Sequence, residues 1–224
     1  MPGTICLQGG AEFGDLCRPM DLDLLARADG GPVVVVPLAA AVGREAELAG
    51  RHGVEHFAGL GAVSAVVAPD ARSDPGAAEA AFAIARLLVL PGGSPGRLLD
   101  ALRHTGADRW LDGVLERGGV VMGASAGAMV LGAVTLRPGA RPGFGPGLGL
   151  LPGLAVVPHA SDDVDRLQTV RAMVGTAVVV GIPECAGIRI DPDGSWTGMG
   201  ASASTAVDAA GPRRLEVGAT WALP

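Results

Sequence analysis

The residues best able to do chemistry lie in Gly123-Ala124-Ser125-Ala126-Gly127. This G-x-S-x-G run follows an apolar segment, Val120–Gly123, and opens a helical one, Ala126–Val134. In a strand–turn–helix setting it is the pattern of a nucleophile elbow. A strained turn lifts the serine oxygen above the sheet edge, and small neighbours let the backbone fold that tightly. The following helix aims its N-terminal amides and dipole at a developing oxyanion. A chemically silent turn of small residues has the same composition, but the position after a buried strand favours Ser125 as a nucleophile.

A second turn, Leu90-Pro91-Gly92-Gly93-Ser94-Pro95, ends another apolar run. Ser94 reads as a helix N-cap and Pro95 as the first helical residue. Taken alone this is an ordinary βα turn; beside the Ser125 elbow, the Gly93 amide could supply the second oxyanion donor next to that of Ala126. Gly92, Ser94 and Arg97 are the candidate substrate contacts. A phosphate site is a weaker reading, because the chain has no lysine and no G-x-x-x-x-G-K motif.

A serine nucleophile needs a base, and there are four histidines. His52 and His56 fall in an early helix-to-strand region, and His104 lies near a helix end, where the dipole favours it. His159 follows the apolar run Leu154–Val157 and Pro158, at the carboxyl end of a strand, where α/β sheets place their sites. It is the leading base. The base in turn needs an orienting carboxylate. Asp162, Asp163 and Asp165 read as the acidic start of the next helix. Glu184 ends the run Val178–Ile182, where a carboxylate is costly unless paired. Glu184 is therefore preferred, with a salt bridge to an arginine as its alternative role.

The elements that must hold these residues are short, continuous apolar runs bounded by Gly and Pro: Thr4–Gln8, Val33–Leu38, Ala62–Ala68, Leu87–Leu90, Val120–Gly123, Leu154–Val157 and Val178–Ile182. Such runs suit strands buried on both faces of a parallel sheet. Helical segments alternate with them: Asp15–Ala28, Gly43–His52, Gly76–Arg86, Pro95–Arg103, Asp108–Glu116, Ala126–Val134 and Asp163–Val174. The alternation predicts an α/β fold, a doubly wound and mostly parallel sheet flanked by helices, as one domain over residues 1–224. Residues 187–224 are turn-separated and without helix, so they read as a small antiparallel β extension. The Gly- and Pro-rich stretch Arg137–Gly153 reads as a long loop, either a lid or a surface excursion.

Composition narrows the function classes. The 224 residues carry 36 Gly and 17 Pro, which would hint at low complexity, but 49% are hydrophobic, and disorder needs low hydrophobicity. A net charge of −6, no basic cluster and 3% aromatics argue against nucleic-acid binding. The longest apolar runs are too short for a membrane span. No signal-peptide pattern is visible, and Cys6, Cys17 and Cys185 are scattered and odd in number, which points to free thiols in the cytoplasm.

The combination of Gly9-Gly10-Ala11-Glu12, Pro91-Gly92-Gly93, the Ser125 elbow with Ala128, and Pro158-His159 resembles the serine peptidase family of aspartyl dipeptidase (peptidase E) and cyanophycinase. The resemblance extends to about Asp191. It implies a class I glutamine amidotransferase-like fold with serine in place of the amidotransferase cysteine, and a Ser–His–acid mechanism in which Ser125 and His159 match nucleophile and base. Glu184, in Gly181-Ile182-Pro183-Glu184, resembles the acid of the cyanophycinase branch. The peptidase E branch carries its acid in the loop after the elbow helix, and here Arg137–Gly153 has neither Asp nor Glu. The expectation is a serine peptidase acting on a peptide or isopeptide bond of a small peptide, with no metal or cofactor and with a homodimer left open. Another amide or ester hydrolase, or a non-catalytic binding protein on the same fold, are the alternatives.

Overall fold

The structure is a computed structural model and describes residues 2–137, 143–160, 163–176 and 178–222. A first sheet is built from β1 (Thr4–Gln8), β2 (Val33–Val35), β3 (Ala65–Val67), β4 (Leu87–Leu90) and β5 (Val120–Ala124). These five are parallel, in the order β1-β5-β4-β2-β3. Helices α1 (Arg18–Arg27), α2 (Arg44–Gly59), α3 (Pro75–Ile84), α4 (Pro95–Thr105) and α5 (Ala107–Glu116) connect and flank them.

The continuous apolar runs are explained by cover on both faces. Ile5, Leu7, Leu88, Leu90 and Val121 enter one core with Leu98 and Leu102 of α4 and Leu111 of α5. Cys6, Leu87, Val89, Val120 and Met122 point the other way, into a second core with Met20 and Leu24 of α1 and Phe57 of α2.

After β5 the chain departs from a single doubly wound sheet. Helix α6 spans only Ala126–Leu131, where the sequence predicts Ala126–Val134. Gly132 takes extended angles (φ −68°, ψ 173°), and β6 (Gly132–Arg137) starts at once. A parallel crossover needs roughly a dozen residues. Six cannot carry the chain back across the first sheet, so β6 founds a second one. There β6, β8 (Leu151–Pro158) and β9 (Val178–Ile182) run parallel, with β7 (Gly143–Pro146) antiparallel on the β6 edge. The runs Leu154–Val157 and Val178–Ile182 thus belong to this second sheet. The expected loop Arg137–Gly153 contains β7 and the start of β8, and residues 138–142 within it lie outside the described residues.

Helix α7 (Val164–Val174) covers one face of the second sheet through Leu167 and Val170. The other face, including Leu154, Val156, Val180 and Ile182, joins the core of the first sheet. The C-terminal strands are antiparallel as expected, but they divide between the sheets. β10 (Ala186–Ile190), β11 (Ser195–Gly200) and β14 (Thr220–Ala222) extend the β1 edge, whereas β12 (Ser204–Asp208) and β13 (Gly211–Leu215) extend the β9 edge. Among the described residues, no helix is long and apolar enough to cross a membrane.

Candidate active site

Ser125 links β5 to α6 with φ 49° and ψ −108°, a strained conformation for a residue with a side chain. The flanking glycines make the turn sterically feasible. A Cβ at Gly123 would lie 2.5 Å from the Gly127 carbonyl carbon, and one at Gly127 would lie 2.1 Å from Leu90 O. The serine backbone is fixed by its N–H donating to Gln8 O at 2.9 Å.

His159 and Glu184 arrive from the second sheet, just past the carboxyl ends of β8 and β9. Both turns are tied to Gly9-Gly10 at the end of β1. His159 N–H donates to Gly9 O at 2.9 Å, and Cys185 N–H donates to Gly10 O at 3.0 Å. One short backbone segment therefore registers the two sheets against each other where the polar side chains meet. His159 and Cys185 both have positive φ, 52° and 55°, so strain accumulates at this edge.

The side chains form a row. Ser125 Oγ lies 2.8 Å from His159 Nε2, and His159 Nδ1 lies 3.1 Å from Glu184 Oε1. A carboxylate can only accept, which assigns the proton to Nδ1 and leaves Nε2 free to accept from the serine hydroxyl. The His159 and Glu184 side chains are 49% and 63% exposed, so their pairing is worth little as a stabilising ion pair.

The remaining sequence candidates separate by position. Ser94 caps α4, its hydroxyl accepting from Arg97 N–H at 3.3 Å. Arg97 donates to Ala39 O at 2.8 Å. Both line a cleft of about 670 Å³ together with Gly92, Gly93, Glu45 and Asp100. The Gly92 N–H donates to Glu12 Oε1 at 2.7 Å, whereas the Gly93 and Ala126 N–H groups have no partner among the described residues. Gly93 sits at φ 138°, and a Cβ there would lie 2.5 Å from Ala39 O, so a side chain does not fit.

Asp163 caps α7 by accepting from Arg166 N–H, and Asp165 lies in the first turn of that helix. Asp162 lies outside the described residues. His52 is exposed on α2, and His104 bonds to Asp100 O within α4. His56 is buried against Asp21. Among the described residues, no group of three or more His, Cys, Asp or Glu side chains could hold a metal ion.

Sequence reasoning gave Glu12 no role of its own. The available signal was an acidic residue directly after the Gly-Gly turn of a strand that ends at the active edge.

The family model of peptidase family S51 matches residues 10–195, which include Glu12, Gly93, Ser125, His159 and Glu184. The chain belongs to peptidase family S51. It is accordingly a serine peptidase, built on the fold of its structural neighbours. A peptidase from an acI-B1 Actinobacterium aligns with this S51 peptidase at a TM-score of 0.84 and 20% identity, over 99% of this chain and 97% of the other. A protein named for peptidase E from Listeria monocytogenes EGD-e aligns at 0.62 and 16% identity, over 89% and 99%. At these identities the likeness is one of fold. No curated protein sequence matches the chain at a significant level.

Proposed function

We propose that Ser125, His159 and Glu184 act together to hydrolyse a peptide or isopeptide bond in a small peptide, as in the dipeptidase and cyanophycinase branches of such enzymes. The observation that carries this reading is the hydrogen-bonded row from Ser125 Oγ through the imidazole to Glu184 Oε1. Ser125 attacks the scissile carbonyl as His159 Nε2 takes its proton. Negative charge on the carbonyl oxygen is met by the Gly93 and Ala126 N–H groups, which no other described residue engages. His159 then gives the proton to the leaving amine, and the C–N bond breaks to leave an acyl-serine. A water, deprotonated by the same imidazole, releases the acid and restores the serine. Glu184 fixes the tautomer and favours the imidazolium, and is itself never protonated.

Glu184 is assigned this role over Asp163 and Asp165 because those carboxylates belong to the start of α7. The cleft along Gly92, Gly93 and Arg97 is the place for the substrate's side chain. A fluorophosphonate should label the protein once, at Ser125 by peptide mapping, and the label should be lost in His159→Ala. A panel of dipeptides and β-aspartyl peptides should then be cleaved only by the labelling-competent chain. Labelling at another serine, or peptide turnover retained in Ser125→Ala, would overturn the proposal.

A further inference from the structure

Glu12 is a half-buried carboxylate beside the proposed nucleophile, and no arginine or histidine among the described residues neutralises it. It follows Gly9-Gly10-Ala11, where the chain leaves the carboxyl end of β1. Its Oε1 accepts the Gly92 N–H at 2.7 Å. Among the described residues, no arginine or histidine lies within ion-pair distance of it, and Oε2 makes no hydrogen bond. A methyl group placed on Gly92 would meet Glu12 Oε1 at 2.9 Å and Ser125 Cβ at 3.3 Å. Carboxylate and serine therefore flank the same glycine.

The loop is held in this position at a conformational cost. Ala11 (φ 53°) and Phe13 (φ 66°), on either side of Glu12, are both left-handed without being glycine. Such residues persist only where their surroundings over-determine them. Here Cys185 N–H donates to Gly10 O, Cys17 Sγ donates to Ala11 O at 3.3 Å, and the Phe13 ring packs on His56 and Phe57 at 5.6 and 6.2 Å. These anchors fix where the Glu12 side chain stands.

A half-buried carboxylate with no counter-charge among the described residues, next to a nucleophile, suits a cation brought by the substrate. When the first bond of a peptide is cut, the α-ammonium nitrogen lies about 2.5 Å from the scissile carbonyl carbon. That carbon must approach Ser125 Oγ to about 3–3.5 Å. The charge of a lysine or arginine side chain is several bonds more distant. We infer that Glu12 is a specificity residue for the dipeptidase-type cleavage proposed above: Oε2 binds the free α-ammonium of the substrate while Oε1 holds the Gly92 turn. The inference rests on Ser125 being the nucleophile.

The test compares matched dipeptides, free and N-acetylated and including a lysine-first pair, on wild type and Glu12→Gln. Glutamine keeps an oxygen for Gly92 N–H and removes the charge. Wild type should prefer the free amine by roughly 100-fold in kcat/KM, mostly through KM. That preference should fall above about pH 8, where the substrate's α-amino group loses its proton. Glu12→Gln should lower kcat/KM on free peptides by roughly 10- to 100-fold, leave the acetylated ones unchanged and abolish the alkaline fall.

Equal losses on free and acetylated peptides would reduce Glu12 to a support for the Gly92 turn and overturn the inference. Continued dependence on Glu12 for N-acetylated lysine peptides would assign the carboxylate to a side-chain cation and overturn it too. Calorimetric binding of the same peptides to Ser125→Ala gives a second readout, and equal affinity for free and acetylated forms contradicts the inference. Ser125 labelling by fluorophosphonate should persist in Glu12→Gln. Its absence from wild type would overturn the proposed function and the inference with it, whereas the Glu12→Gln outcomes above overturn the inference alone.

Discussion

Among the described residues the molecule contains two histidine–carboxylate pairs of nearly the same composition and of opposite character. In the first, His56 Nε2 lies 2.7 Å from Asp21 Oδ2, with side chains 7% and 0% exposed, between α2 and α1. Phe13 and Phe57 pack around the imidazole at centroid distances of 5.6 and 5.3 Å. In the second, His159 Nδ1 lies 3.1 Å from Glu184 Oε1 and both side chains are about half exposed or more. The shorter, drier pair is flanked by two phenylalanine rings, and among the described residues its imidazole has no second hydrogen-bond partner. The longer, wetter pair keeps Nε2 on a serine. A histidine and a carboxylate become a proton relay through access and a third partner, and tightness of pairing works towards structure instead.

The contrast can be broken most severely at the serine. Ser125→Ala should lower kcat by about 10⁴-fold or more with the unfolding midpoint retained, since the elbow's backbone is held independently of the hydroxyl. Glu184→Gln should cost about 10²- to 10⁴-fold in kcat and change stability little, because the carboxylate is 63% exposed.

The other pair should answer in stability. Breaking it with His56→Ala leaves a buried carboxyl without its partner and should cost about 3 kcal/mol in urea unfolding. Burial holds the Asp21 carboxyl above its ordinary pKa, against the lowering effect of the His56 hydrogen bond. The folded chain thus favours the protonated acid. The contribution of Asp21 is most favourable at low pH and is lost as pH rises through its folded pKa. Asp21→Asn should flatten this part of the stability–pH curve.

The smallest expected effect concerns the thiols near the same loops. Burial and the neighbouring Cys185 push the Cys17 thiol up to about 12, and burial raises Cys6 further. Cys185 alone is partly exposed. Iodoacetamide should modify Cys185 in the native protein and reach Cys6 and Cys17 only on unfolding.

Much of this was legible in the sequence because it is local. Strands β1, β4 and β9 have the predicted bounds, since their apolar runs are closed by Gly, Pro or charge within three residues. The Ser125 turn is written in five consecutive residues. His159 and Glu184 could be chosen by strand-end position alone, and that criterion also set His56 aside. The second sheet was not legible, because the decision between one sheet and two depends on whether a six-residue helix can complete a crossover. Periodicity over Ala126–Val134 does not show where Gly132 turns extended. Glu12 was missed for a related reason. Its meaning comes from Gly92, 80 positions away in sequence, and nothing near it in the chain marks the contact.

The most direct test places His159→Ala and His56→Ala side by side, measuring kcat/KM on a cleaved dipeptide and the unfolding midpoint for each. His159→Ala should lose about 10⁴-fold or more in kcat/KM at an unchanged midpoint. His56→Ala should lower the midpoint by several degrees and keep kcat/KM within a few-fold where it is folded. A reversal, with turnover surviving loss of His159 or the chemistry failing in folded His56→Ala, would contradict the account.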